Sequence, residues 1–279
     1  MQILELWRFP IKGFGGSQVG TATLATDGYF PNDRHFAIST GGQKIATARS
    51  GAWFPKAHFL QLMSHNALAE YKCRYLTDGA KPVLELFHHG RLCISINPDS
   101  YDDRRQLEDF IFSNFGSHLR GQPRLMQMKD QAYSDQPTAF VSIASNASLD
   151  TFADATGTAP SNCRFRINII TDADKAFTEA DMIGQTFHCG KALMVVQKPV
   201  GRCAAINVDP KTARRSDQDY VQLMREKFGH SNLGVFAKVI KGGEVKIGDE
   251  LRPIWLFKSS KQPNYKITTP HLRPEWEQP

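Results

Sequence analysis

Chemistry-bearing residue types concentrate in one segment, Lys198-Pro199-Val200-Gly201-Arg202-Cys203-Ala204-Ala205-Ile206-Asn207-Val208-Asp209-Pro210-Lys211-Thr212. A turn built on Pro199 and Gly201 leads to Arg202 and then directly to Cys203. A guanidinium beside a thiol at a turn lowers the thiol pKa, and the thiolate is the form that ligates soft metals. A lone cysteine is more often a small buried apolar residue, so residue types alone leave Cys203 open between the two roles.

Other common sites are excluded by spacing. The run from Gly184 to Gly190-Lys191 has one residue too many for a phosphate-binding loop, and Ala192 stands where a magnesium-binding hydroxyl belongs. The glycines of residues 12–16 do not follow the dinucleotide-binding pattern, and no G-x-S-x-G elbow is present. His88 and His89 are adjacent, so on a strand they point to opposite faces and could not chelate one ion together. The five cysteines, Cys73, Cys93, Cys163, Cys189 and Cys203, are scattered without a C-x-x-C pair, which argues for reduced thiols over a zinc site or an iron–sulfur cluster.

The elements that must position these residues are mostly strands. Short β-like runs punctuated by Gly, Pro, Asn and Asp fall at 3–7, 18–24, 35–40, 83–87, 92–96, 140–143, 165–170, 192–197, 235–240 and 244–247. On the strand expected over 165–170, Arg164 and Arg166 share one face by period-two geometry. Three segments have helical spacing. Leu107, Phe110, Ile111 and Phe115 form one face, capped by Asp102 or Asp103 and stopped at Gly116. Leu149, Phe152 and Ala153 follow Ser148 and end by Gly157. Tyr220, Leu223, Met224 and Phe228 follow a start at Ser216 and precede Gly229. The polar stretch 121–137 is the best lobe boundary, and the Pro-, Lys- and Gln-rich tail from 258 reads as a surface segment.

A chain of 279 residues can bury a large core in one domain or two intimate ones. With 41% hydrophobic and 22% charged residues it falls in the folded, soluble class. No apolar run approaches the roughly 20 residues of a membrane span, and the start lacks a signal-peptide pattern, so the expected location is cytoplasmic with no membrane partner. The formal charge of +6 is spread along the chain without a Lys/aromatic platform, which favours a small anionic ligand over nucleic acid.

The segment around Cys203 then resembles a known family. Gly201-Arg202-Cys203 with Asn207-Val208-Asp209-Pro210 is similar to the S/E-R-C…T-V-D-P stretch of MOSC domains, the family of the C-terminal domain of molybdenum cofactor sulfurases and of the mitochondrial amidoxime-reducing enzymes. Arg164-Phe165-Arg166-Ile167-Asn168 resembles its R-F-R-P-N, with Ile167 in place of proline. Ala176-Phe177-Thr178-Glu179 resembles A-F/Y-x-E, and 234–236 with 242–249 resembles the closing F-G-x-Y…G-x-I-x-V-G-D. Phe9-Pro10-Ile11-Lys12-Gly13, Asn32-Asp33-Arg34-His35-Phe36 and Thr47-Ala48-Arg49 resemble motifs of the N-terminal β-barrel domain that accompanies MOSC.

The resemblance implies an α+β, mostly β protein: a β-barrel-like N-terminal lobe (1–125) packed on a MOSC β-barrel with a few flanking helices (126–255), then a tail (256–279). It implies the molybdenum cofactor, molybdopterin with its metal, bound between the lobes. Cys203 falls on the molybdenum ligand; Lys12, Arg34 and Arg166 on basic residues that hold pterin and phosphate; Asn168 on the asparagine paired with that arginine. Arg202 accompanies Cys203, and Ser145 lies in the S-E/D-A-S-L stretch near the metal. Asn146 replaces the usual acid there, and an amide cannot serve as a general acid or base. The implied function is reduction of N-hydroxylated compounds, a small-molecule substrate class. Because the chain lacks a ferredoxin signature, electrons would come from a ferredoxin- or flavin-type partner. The alternative is a carrier of the cofactor or of sulfur, with a persulfide on Cys203 supplied by a donor protein.

Overall fold

The computed structural model describes residues 1–42, 56–128, 131–136 and 138–254. Thr47-Ala48-Arg49 and the 256–279 tail lie outside the described residues. In chain order the strands of the first lobe are β1 (Ile3–Arg8), β2 (Ser17–Gln18), β3 (Thr21–Leu24), β4 (Phe36–Ile38), β5 (Tyr71–Leu76), β6 (Val83–His88) and β7 (Arg91–Ile96). Helix α1 (Tyr101–Phe115) and β8 (Leu125–Gln127) complete it. The second lobe runs β9 (Val141–Ser145), α2 (Asn146–Thr156), α3 (Asn162–Phe165), β10 (Ile169–Thr171), β11 (Thr186–Cys189), β12 (Ala192–Gly201), α4 (Tyr220–Phe228), β13 (Asn232–Lys241), β14 (Gly243–Lys246) and β15 (Leu251–Pro253). The mostly β, α+β architecture is as expected.

Eight strands form one sheet in the order β15-β11-β12-β13-β9-β10-β1-β2. It curls, and its ends meet: Gln2 bridges Glu250, the Ile3 amide donates to the Asp249 carbonyl at 2.8 Å, and the Leu251 amide donates to the Met1 carbonyl at 2.8 Å. The curl places one inward row per strand in a shared core, seen in Leu6, Ile143, Phe187, Met194 and Val235. Strands β9 and β10 are parallel, joined through α2 and α3. Phe152, Phe165, Tyr220 and Met224 form a second cluster between those helices and α4. A third cluster lies in the first lobe, where the β5-β6-β7 meander and α1 enclose Phe14, Phe36, Leu86 and Ile111.

Several expected elements shift. The strand anticipated over 18–24 is two, because β2 pairs with β1 while β3 pairs with β14. Strand β5 went unanticipated, although Tyr71, Cys73 and Tyr75 are buried and alternate with exposed Lys72, Arg74 and Leu76. Helix α1 is capped by Ser100, not by Asp102 or Asp103. Asp103 is the reciprocal partner, accepting from the Ser100 hydroxyl at 3.0 Å and the Asn97 amide at 2.8 Å. As expected, α1 ends at Phe115 with Gly116 as its C-cap, and a short 3-10 turn (Gly116–His118) follows. Helix α2 starts at a Ser145 cap and ends at left-handed Gly157, whereas α4 is capped by Asp219 in place of Ser216.

The pair His88 and His89 also departs from its strand-based expectation. Strand β6 ends at His88, and His89 enters the left-handed region at φ 48° as the first residue of the turn to β7. Alternation therefore does not govern them, and their ring centroids lie 4.1 Å apart.

Candidate cofactor site between the lobes

A cavity of about 410 Å³ is walled by both lobes, within the roughly 300–1,000 Å³ typical of small-molecule and cofactor sites. Lys12, Arg34, Leu62 and Tyr133 line it together with Arg166, Asn168, Lys198, Arg202 and Cys203.

The first-lobe wall is built on Phe9 and Lys12. Ile11 bridges Phe36, and the Lys12 amide donates to the Phe36 carbonyl at 2.9 Å. Next to it, Gly13 has φ +87°, and a Cβ there would meet the Leu60 carbonyl at 2.9 Å, so the chain beside Lys12 needs glycine. Lys12 Nζ donates to the Tyr133 carbonyl at 2.9 Å and the Asp135 carboxylate at 2.8 Å. Burial pushes its ammonium below the ordinary lysine value, opposed by Asp135 and assisted by Arg34 and Arg166. Arg34 is left-handed at φ 50°, pairs with Asp33, and donates to the Arg166 carbonyl at 3.1 Å. The Asp33 carboxylate in turn accepts from the Phe9 amide at 2.8 Å.

Arg166 faces this wall from the other lobe. It caps α3 in the left-handed region at φ 59°, and its guanidinium donates to the Ile11 carbonyl at 3.3 Å. The guanidinia of Arg34 and Arg166 lie 5.7 and 5.1 Å from the Phe9 ring centroid, so one aromatic ring gathers two cations. Burial first, and Arg34 second, push Arg166 down to about 9. Two arginines thus take a conformation disfavoured for a Cβ-bearing residue and are packed so that their charges repel.

Cys203 is exposed and caps a 3-10 turn (Ala204–Asn207) on the same cavity. The turn is held from behind. Arg164 donates to the Ile206 and Val208 carbonyls at 2.7 and 3.0 Å and to the Asp209 carboxylate at 3.1 Å. Burial would raise the Asp209 carboxyl, but the Thr212 and Lys211 amides, the Thr212 hydroxyl and Arg164 hold it below the ordinary value. Arg215 ties Ala204 to the first lobe, donating to the Ala204, Leu62 and Met63 carbonyls at 3.0, 2.8 and 3.0 Å.

Of the residues singled out from the sequence, Lys12, Arg34, Arg166, Asn168, Arg202 and Cys203 come together on this cavity. Two of these are spent on the fold. Asn168 accepts from the Ser142 amide and hydroxyl at 3.1 and 2.8 Å and donates to the Trp7 carbonyl at 3.3 Å, joining β9, β10 and β1. Arg202 donates to the Phe165 carbonyl at 2.9 Å and to the Leu233 carbonyl, and burial pushes it down to about 9. Ser145 and Asn146 are not brought to the cavity. Ser145 is fully buried as the α2 cap, bonded to Ser148 and to the buried Glu179 carboxylate. Asn146 accepts from the Ala147 and Ala173 amides at 2.8 and 3.2 Å. Glu179 thus has a structural reason to follow the Ala176-Phe177 pair: it accepts from both serines that begin α2.

Arg164 and Arg166 do not share a strand face, because residues 162–165 form α3 and the strand begins only at Ile169. Tyr133, Asp135 and Lys198 were missed. Tyr133 and Asp135 fall in the polar stretch taken as a boundary, where no periodicity signals a role. Lys198 donates to Gln136 and lies 5.2 and 5.9 Å from the Phe140 and Phe236 ring centroids, an arrangement made only by pairing β12 with β13.

Comparison with known proteins gives matches to two family models, the MOSC N-terminal beta barrel domain over residues 1–66 and the MOSC domain over residues 130–252. No curated protein matches. Among solved structures, the chain is similar to YiiM from Geobacillus stearothermophilus at 15% identity and a TM-score of 0.31, covering 41% of this chain and 53% of that one. YiiM from Escherichia coli matches at 24% identity and a TM-score of 0.31, with the same coverages of 41% and 53%. The chain therefore spans about half the length of these two. The YUAD protein from Bacillus subtilis matches at 14% identity and a TM-score of 0.41, covering 90% of this chain and 93% of that one. With the N-terminal barrel and the MOSC domain matched in order along one chain, this protein belongs to the MOSC family.

Proposed function

We propose that this chain binds the molybdenum cofactor in the inter-lobe cavity and acts as an oxidoreductase on N-hydroxylated compounds, with electrons from a separate ferredoxin- or flavin-type partner. The MOSC family is associated with molybdenum cofactor binding. The observation that carries the proposal is the charge of the cavity wall around an exposed thiol. Among the described lining residues six are cationic, Lys12, Arg34, Arg164, Arg166, Lys198 and Arg202, and two are carboxylates, Asp33 and Asp135; of the six, Arg164 is paired with Asp209 behind the turn. Buried cations that depress one another's pKa are relieved by an anion, and guanidinia match phosphate oxygens in a fork geometry. The donor set therefore fits a phosphorylated pterin, and the Cys203 thiol fits a soft metal.

In this reading Arg166, Arg34 and Lys12 hold the phosphate and pterin from two lobes, and Cys203 is the protein ligand. Arg164 and Arg215 position the turn that presents the thiol, and Leu62 and Met63 line the cavity beside it. When bound, the cofactor would supply the redox chemistry. The test is elemental and pterin analysis of protein made in a molybdenum-replete host, followed by oxidation of reduced viologen with 6-hydroxylaminopurine as acceptor. Metal-loaded protein that oxidises no donor with any N-hydroxylated substrate sinks the reductase proposal.

A second reading, a carrier of cofactor or sulfur with a persulfide on Cys203, is favoured by one observation. Among the described lining residues the two carboxylates are engaged, Asp33 with Arg34 and Asp135 with Lys12, and Asn146 lies elsewhere, so none of these is poised to deliver a proton at Cys203. Transfer of sulfur or cofactor from the loaded protein to an acceptor apoenzyme, without substrate reduction, is the result that selects it.

A further inference from the structure

Away from the cavity, the turn between β6 and β7 lies against the end of a 3-10 helix (Asn66–Glu70). His88 Nε2 lies 3.1 Å from Glu70 Oε2, and His89 Nε2 lies 4.0 Å from the same oxygen. The donor atoms of all three residues fall within 4.8 Å of one another. Two ligands of one tetrahedral zinc ion, each about 2.0–2.2 Å from it, lie roughly 3.3–3.6 Å apart, so side-chain shifts of about an ångström bring all three donors onto one ion.

Two features of the chain preset the arrangement. His89 takes a left-handed φ of 48° and Gly90 one of 81°, which turns the second imidazole back beside the first. The His88 ring is stacked on Tyr71 with centroids 4.6 Å apart and planes 20° from parallel, fixing its direction. His89 and Gly90 are the two central residues of a hairpin turn with positive φ at both, the geometry that matches the twist of the paired strands, and that turn brings the second imidazole beside the first.

We propose that Glu70, His88 and His89 form a divalent transition-metal site, with Zn²⁺ as the ion its two imidazoles and one carboxylate suit. The side chains are 26%, 35% and 60% exposed respectively, so solvent can supply the remaining coordination positions. The ion would clamp the hairpin turn to the helix that precedes β5. This site is independent of Cys203 and of the proposed cofactor.

Isothermal titration of metal-free full-length protein with Zn²⁺ tests the assignment. A Cys93→Ser/Cys203→Ser background removes the two exposed thiols. One equivalent should bind, and the melting temperature should rise with Zn²⁺ concentration, as binding to the folded state alone requires. His88→Gln/His89→Gln should weaken binding by more than roughly 100-fold, since even outer partners of a metal ligand cost about 10–100-fold. Glu70→Gln should also weaken it. Failure of the background protein to bind Zn²⁺ while its circular dichroism is intact overturns the proposal, as does unchanged affinity in the folded double-histidine variant.

Discussion

Removing the Arg164 guanidinium should destabilise the protein severely through a loop that never touches it in sequence. Its side chain is 3% exposed and donates to two backbone carbonyls and one carboxylate. Hydrogen bonds to a charged group contribute about 1.5–3 kcal/mol each, which would sum to roughly 4.5–9 kcal/mol. Asp209 is 37% exposed, so its share is screened by water, and the carbonyls of Ile206 and Val208 can recover part of their loss by relaxing toward solvent. Breaking one side of a buried charged arrangement typically costs about 3–5 kcal/mol, and Arg164→Ala should fall there. For a chain of this size that corresponds to a melting temperature lower by roughly 6–20 °C. Urea denaturation should show a lower midpoint with an unchanged slope. Arg164→Lys, which keeps the charge but loses the fork, should recover less than half of the loss. A loss below about 1 kcal/mol for Arg164→Ala would refute the idea that this arginine organises the Cys203 turn.

Cys203→Ser should remove molybdenum from protein made in a replete host while leaving stability within about 0.5 kcal/mol, because the residue is exposed and a hydroxyl is a poor ligand for a soft metal; full metal by elemental analysis would refute the ligand assignment. Arg166→Ala should leave the cofactor-free melting temperature unchanged or raised, because the fold already disfavours this cation. Cofactor retention after dialysis should fall about 10–100-fold, the equivalent of one charge-assisted bond of roughly 1.5–3 kcal/mol. Burial holds the Glu108 carboxyl above its ordinary value, against the Leu125 amide that donates to it at 2.9 Å. Its folded pKa being the higher one, the fold prefers the protonated acid, so stability is lost as pH rises past about 4.5 toward the folded value. Glu108→Gln should therefore be more stable than wild type at pH 7, with the gain vanishing near pH 4; a gain that persists at low pH would contradict this origin.

The parts of this protein that were legible in the sequence are those set by short-range physics. Leu149, Phe152 and Ala153 at helical spacing, followed by Gly157, sufficed to find α2. The motifs around Lys12, Arg34, Arg166 and Cys203 sufficed to gather one wall of the cavity. Long-range pairing was not legible. Nothing local tells that β2 and β3, two residues apart, belong to different sheets, or that Lys198 and Phe236 become neighbours across β12 and β13. Left-handed backbone at bulky residues was equally hidden. Arg166 and His89 both fall outside strands β10 and β6, each at a left-handed φ, so the alternation rule does not apply to them. Ser145 failed for another reason: as a helix cap its hydroxyl is turned into the fold, toward Glu179.

Strand β1 also sets a timetable for folding. It is made well before its distant partners, since Ile3 pairs with Thr171, and Gln2 bridges Glu250. At about 5–20 residues per second of synthesis, its hydrogen-bonding edges wait roughly 10–30 s for β10 alone. During that interval Ile3 and Leu6, both destined for the interior, sit on a strand whose early partner β2 covers only Trp7 and Arg8, a state prone to pairing with other chains. Separation of this length makes the final closure slow by loop entropy. A nascent chain of this protein should thus depend on holding chaperones until residues 169–251 are made, and a deletion of residues 1–8 should leave β10 and the 248–251 turn as sticky edges, even though no residue beyond position 130 has been changed.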